Sequence, residues 1–198
     1  MGGGFGAPCL SSIIRPTNTV SMKTKLNPTL VTFLLLFAAL ACCSSGEKKT
    51  DYSATAANDA LDAGCKQAAN ESKVVFVKSG FPACVWCRIF DRYHSIPKVQ
   101  TIIGKYYVVV GIDTENMPDG AAVFSRYAKP GAPSWVIITP QKKIIIDSHA
   151  PAPEGNVGYP GSPSETAYYL AALKKATPAI TDDELHILSQ QIKKAMGK

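Results

Sequence analysis

Val74-Val75-Phe76-Val77-Lys78-Ser79-Gly80-Phe81-Pro82-Ala83-Cys84-Val85-Trp86-Cys87-Arg88-Ile89-Phe90-Asp91-Arg92-Tyr93 is the stretch whose reading decides the fold. Its apolar, β-branched opening predicts a strand over 73–79. A helix is predicted to open near Cys84 and to end before Ser95-Ile96-Pro97. The CxxC pair, Cys84-Val85-Trp86-Cys87, therefore falls on the first helical turn. A helix N-terminus presents unpaired N–H groups and a partial positive charge, which stabilise a thiolate. The thiolate is the form that attacks disulfides. Strand, short loop and two thiols on a first helical turn is the layout of a dithiol redox site.

Working toward the N-terminus, Leu30–Leu40 (LVTFLLLFAAL) is an apolar run of 11 residues, preceded by Lys23 and Lys25. It is shorter than the roughly 20 residues of a membrane-spanning helix. Small residues and cysteines follow in Ala39-Leu40-Ala41-Cys42-Cys43. Basic n-region, apolar h-region and cleavage region together predict an export signal over 1–41. The cleavage region resembles the lipobox of bacterial lipoproteins, which implies lipidation of Cys42, with Cys43 as the alternative. An ordinary secretory signal and an uncleaved anchor are the competing readings. Met22 gives a signal peptide of ordinary proportions, so residues 1–21 read as an over-extended start and Cys9 has no expected role.

The domain assignment is signal region 1–41, lipidated tether 42–57 and one folded domain 58–198. The 157 residues from Cys42 to Lys198 suit a single core. The whole chain carries a formal charge of +6, but the part from Cys42 onward holds 18 basic and 15 acidic residues, a net +3. No basic stripe with interleaved aromatics occurs, so nucleic-acid binding is not expected.

Beyond the CxxC helix the predicted order is a short helix at 98–104, a strand at 106–113, a helix at 119–129, a strand at 134–139 and a paired strand at 143–147. Residues 150–163 form a Pro/Gly-rich loop. A helix at 164–176 takes Ser164 as its cap, and Thr181 with Glu184 forms a capping box for the last helix. A helix at 58–70 precedes the first strand and carries Cys65, read as a buried small hydrophobe. The pattern is α/β: a central mixed sheet with helices on both faces.

These residues resemble the thioredoxin-like superfamily, specifically its exported bacterial lipoproteins, over roughly 73–176. CxxC lies at a strand-to-helix junction. Gly131-Ala132-Pro133, with Pro133 46 residues after Cys87, precedes the SWVIIT strand where the family places its cis-proline. The TPQKKIIID hairpin corresponds to the family's final strand pair. The resemblance implies a thioredoxin-like fold with four to five strands, flanking helices and extra N- and C-terminal helices. It implies that Cys84 attacks, that Cys87 resolves, and that Pro133 is cis against the pair. Ala132 would hydrogen-bond an extended substrate segment, beside Trp86. Two positions depart from the pattern: Ala83 stands where the family often has Trp, and Val74–Lys78 lacks the buried acid of thioredoxin. The proton acceptor for Cys87 is then water, Asp91 or another group.

Against the redox reading stand a static disulfide staple and a metal half-site. A ring closed over so few residues restricts the unfolded chain little. Structural zinc normally takes four ligands, and no second CxxC or close His pair occurs. His94, His149 and His186 are scattered and read as surface or supporting residues. No metal or other cofactor is expected. The expected function is disulfide reduction in the bacterial cell envelope by a lipid-anchored, periplasm-facing monomer. Its partners would be disulfide-containing proteins and an upstream thiol donor. The runner-up is a non-catalytic thioredoxin-fold lipoprotein that binds a partner protein or a metal ion.

Overall fold

The computed structural model of the chain describes residues 56–197. The expectations for the signal region, the tether up to residue 55 and Cys42 and Cys43 lie outside the described residues. Among the described residues ten elements follow one another: α1 Ala57–Asn70, β1 Val74–Gly80, α2 Val85–Ser95, α3 Pro97–Tyr106, β2 Tyr107–Asp113, α4 Gly120–Phe124, β3 Ser134–Ile138, β4 Ile144–Asp147, α5 Pro163–Ala176 and α6 Asp182–Met196.

The four strands form one mixed sheet in the order β2-β1-β3-β4. β1 runs parallel to β2, with Val77 opposite Val110, and antiparallel to β3, with Val77 opposite Val136. The β3–β4 hairpin is antiparallel and turns through Lys142 at φ 64. Successive side chains on a strand point to opposite faces. Phe76, Trp135 and Ile137 accordingly join one core with Phe90, Tyr93, Ile103, Tyr169 and Leu188. Val75, Val77, Val136 and Ile138 join the other with Leu61, Cys65 and Phe124. Covering both faces is why β1 and β3 read as near-continuous apolar runs rather than alternating ones.

Where element ends differ from the sequence reading, the reasons are local. The 164–176 helix begins one residue earlier and is capped by Ser162, not Ser164; Ser162 and Glu165 form a capping box. The helix expected over 119–129 is only α4, ending at Phe124 and continuing as tight turns to Ala128. Pro130 disfavours helical backbone at Lys129. Thr181 and Glu184 form the second capping box at the start of α6. Asp119 ties α1 to the start of α4: its carboxylate accepts from the Ala57 amide at 3.0 Å and from Asn58 Nδ2 at 2.7 Å. Among the described residues no helix is long and apolar enough to cross a membrane.

Candidate active site

β1 ends at Gly80, and three residues of loop carry the chain to Cys84, the N-cap of α2. An N-cap side chain accepts from the first orphan amides of its helix. Here the acceptor is sulfur: the Cys87 amide donates to Cys84 Sγ at 3.1 Å. The two sulfurs are joined as a disulfide with Cα atoms 5.2 Å apart. Cys84 is 9% exposed and Cys87 6%, while Val85 and Trp86 between them are 58% and 51% exposed. The apolar tip of the motif thus faces solvent and its sulfurs lie at the edge of the core.

The Ala132–Pro133 peptide is cis. Ala132 is exposed, and Pro133 borders both a cavity of about 120 Å³ shared with Cys87 and a groove of about 220 Å³ shared with Trp86. The proline loop is held from the 148–161 segment. Asn156 Nδ2 donates to the Pro133 carbonyl at 3.0 Å, and Ser148 Oγ donates to Asn156 Oδ1 at 2.7 Å. Gly158 packs so closely that a methyl group on it would collide with the Pro133 carbonyl. Trp135 Nε1 donates to the Val157 carbonyl at 2.8 Å.

Trp86 stacks on Tyr159, with ring centroids 6.0 Å apart and planes 24° from parallel. Tyr159 in turn donates its hydroxyl to the Ile192 carbonyl at 2.5 Å. Burial pushes the Tyr159 hydroxyl up to about 12, against the pull of Arg92, so it remains a donor across the neutral range.

Behind the disulfide, Lys78 on β1 forms an ion pair with Asp91 on α2. The lysine is 14% exposed and the aspartate 61%. His94, expected at the surface or in support, lies instead against the aromatic core. Its ring centroid is 4.4 Å from Phe90, 5.2 Å from Tyr93 and 5.5 Å from Phe76. Nδ1 carries the proton, because its partner at 3.0 Å is the Phe90 carbonyl. Burial, then the Lys78 charge, push the imidazole down to about 3. Cys65 is a buried free thiol, raised chiefly by burial. Among the described residues no three His, Cys, Asp or Glu side chains gather as a metal site.

The structure thus brings Cys84, Cys87, Trp86, Ala132 and Pro133 to one end of the sheet. Sequence reasoning missed Asn156 and Tyr159, which sit in a Pro/Gly-rich loop with no period to mark them. It also missed the Lys78–Asp91 pairing, which links a strand to a helix.

A mixed sheet in this order, with a CxxC disulfide at a helix N-terminus and a cis-proline facing it, defines a thioredoxin-like protein. The chain belongs to the Thioredox_DsbH family, described as "Protein of unknown function, DUF255", which it matches over residues 57–190. A relative from Caenorhabditis elegans, "Uncharacterized protein B0495.5", is 25% identical over 132 residues, covering 60% of this chain. The chain spans only 18% of that relative's length. Among solved structures, a disulphide isomerase from Xylella fastidiosa Temecula1 is 19% identical, covering 69% of this chain and 87% of its own, with a TM-score of 0.40. A DsbH oxidoreductase is 17% identical, covering 59% and 80%, with a TM-score of 0.42. A thioredoxin from Thermus thermophilus is 22% identical, covering 47% and 71%, with a TM-score of 0.37. The fold assignment rests on the sheet order and the family match rather than on these distant likenesses.

Proposed function

We propose that this chain is a thiol–disulfide oxidoreductase of the cell envelope that reduces protein disulfides through Cys84 and Cys87. The observation that carries the reading is the Cys87 amide aimed at Cys84 Sγ from the first turn of an 11-residue helix. That amide and the helix dipole favour negative charge on the N-cap sulfur. In the reduced protein the Cys84 thiolate attacks a substrate sulfur, the substrate S–S bond breaks, and one substrate thiolate leaves. The Cys87 thiolate then attacks Cys84 Sγ, releases the second substrate thiolate and forms the disulfide. Two electrons pass to the substrate, and an upstream dithiol returns them.

Ala132 is exposed and lines the groove it shares with Trp86 and Pro133, where an extended substrate segment would pair as a short strand. Trp86 offers that segment an exposed aromatic face. Residues 1–41 would act as the export signal and Cys42, or alternatively Cys43, as the lipidated residue. Residues 42–57 would tether a monomeric domain, 58–198, facing the periplasm.

The test uses the full chain with dithiothreitol as donor and a disulfide-bonded protein as acceptor. Wild type is expected to turn over. Cys84→Ser is expected to be inactive, and Cys87→Ser to accumulate a mixed disulfide through Cys84. A wild-type chain that never cycles between dithiol and disulfide, or full activity in Cys84→Ser, overturns the proposal. The equilibrium with glutathione decides the direction of electron flow.

A further inference from the structure

Resting on that redox reading, we infer that Glu165 selects substrates by charge: the groove beside Trp86 takes an arginine that neighbours the substrate cysteine. The groove, of about 220 Å³, is bordered by Trp86, Pro133, Tyr159 and Glu165, the last on the first turn of α5. Glu165 is the only carboxylate among its lining residues, and no lysine, arginine or histidine joins it there. Glu165 Oε2 accepts from the Ser162 amide at 2.7 Å, which completes the capping box. Among the described residues Oε1 takes no hydrogen bond and no basic side chain pairs with the carboxylate. A methyl group built on Gly161 would stand 3.7 Å from Glu165 Oε2 and 4.0 Å from Tyr159 Cδ1. Carboxylate and aromatic ring thus flank one spot that the glycine leaves open.

That pairing suits a guanidinium. A cation near the face of Trp or Tyr is attracted by the ring quadrupole, and arginine uses this contact more often than lysine. Trp86 is 51% exposed and stacks on Tyr159, so the two rings make an aromatic wall beside the carboxylate. The planar fork of arginine can lie on such a wall and still donate to Oε1, whereas the lysine ammonium is compact and strongly hydrated. An acidic substrate side chain would be repelled there. An apolar one would take water from the carboxylate and give it no partner. Two positive features oppose a cation, and neither cancels the carboxylate. The N-terminus of α5 carries only about half an elementary charge. Arg92 acts on Tyr159 but donates to the Ala195 carbonyl of α6 at 3.3 Å and does not line the groove. Arg88 donates to the Pro82 carbonyl at 2.8 Å and borders the separate cavity that Pro133 shares with Cys87.

In an extended segment lying beside Ala132, alternate side chains share a face. The cysteine that meets Cys84 and the arginine that reaches Glu165 therefore occupy alternate positions. Glu165 is a specificity-determining residue: it reads a substrate side chain and leaves the exchange of sulfur bonds to Cys84 and Cys87.

The test uses reduced full-length protein and peptides whose single cysteine is capped as a disulfide with thionitrobenzoate. Attack on the peptide sulfur releases the coloured thiolate, and its second-order rate is read. The peptides differ only in carrying Arg or Gln at the alternate position on either side of the cysteine. In wild type the better-placed Arg peptide is expected to react about 10-fold faster than its Gln counterpart, the combined size of one exposed ion pair and one cation–π contact. Glu165→Gln keeps a residue able to close the capping box but removes the charge. It is expected to cut the Arg-to-Gln ratio to about 2-fold, and a ratio is insensitive to any general loss of activity. Equal rates for the Arg and Gln peptides in wild type, or an undiminished ratio in Glu165→Gln, overturn the inference. Should Glu165→Gln not fold, a wild-type ratio that survives about 1 M salt, where charges are screened within about 3 Å, overturns it. The same peptides with serine for cysteine are titrated into oxidised protein, with binding read by tryptophan fluorescence. If wild type reduces no peptide, the redox reading fails, and tighter binding of the Arg peptide still upholds the groove's charge preference while equal binding overturns it.

Discussion

Gly80 and Cys87 touch: a methyl group on the glycine would stand 2.8 Å from the cysteine sulfur and 3.0 Å from its Cβ. The end of β1 is therefore pressed against the redox helix with no room for a side chain. Forcing extra volume into such a contact costs about 1–3 kcal/mol. Gly80→Ala is expected to lower the stability of the oxidised protein by that amount, read by denaturant melts. The displaced Cys87 should also slow the release of a mixed disulfide.

Acid stability isolates His94. Its folded value, near 3, lies below the ordinary 6.5. Between these values the unfolded chain binds a proton that the folded chain refuses, so stability falls as pH drops from 6.5 toward 3. Glu184 acts lower down. Hydrogen bonds from Thr181, chiefly its amide, and from Tyr106 and Lys105 hold it near 2, so its contribution is lost between 4.5 and 2. The slope between pH 6.5 and 4.5 thus belongs to His94. His94→Phe is expected to flatten it while leaving the lower fall intact, as read by urea melts at stepped pH.

The proline loop depends on Asn156. Its amide nitrogen serves the Pro133 carbonyl and its oxygen takes the Ser148 hydroxyl. Asn156→Ala leaves the Pro133 carbonyl without that donor, at about 1–3 kcal/mol, while the Ser148 hydroxyl keeps its hydrogen bond with the Ser134 hydroxyl at 2.7 Å. Because Pro133 borders the groove beside Trp86, the variant is also expected to raise KM for a protein disulfide more than it lowers kcat.

Two capping boxes start the last two helices. Thr181→Ala and Ser162→Ala are each expected to destabilise by about 1 kcal/mol, the usual worth of such a cap. They begin different helices and bond different partners, Glu165 and Glu184, so the double variant should show the sum. Thermal melts of the three variants check both statements.

Strand and helix identities were legible because their patterns are local. Val74–Val77 and Val108–Val110 are β-branched runs, and the Thr181–Glu184 spacing announces its own helix. The same spacing links Ser162 to Glu165, so the better cap was available in the sequence, three residues ahead of the acid rather than one. His94 also had a signal, since it follows Phe90 by four residues and shares its helix face. The pair between Lys78 and Asp91 had none. It exists only because α2 folds back across β1, and no spacing along the chain encodes that crossing. Asn156 and Tyr159 were hidden for a similar reason: an irregular loop has no repeat from which to infer what it touches.

Tyr159 hangs from the final helix by its hydroxyl and carries the Trp86 ring on its face. The foremost part of the thiol motif is in this way braced from the far end of the polypeptide. A protease nick near the carboxyl terminus would slacken the surface that an incoming protein meets first, leaving both sulfurs chemically untouched yet poorly presented.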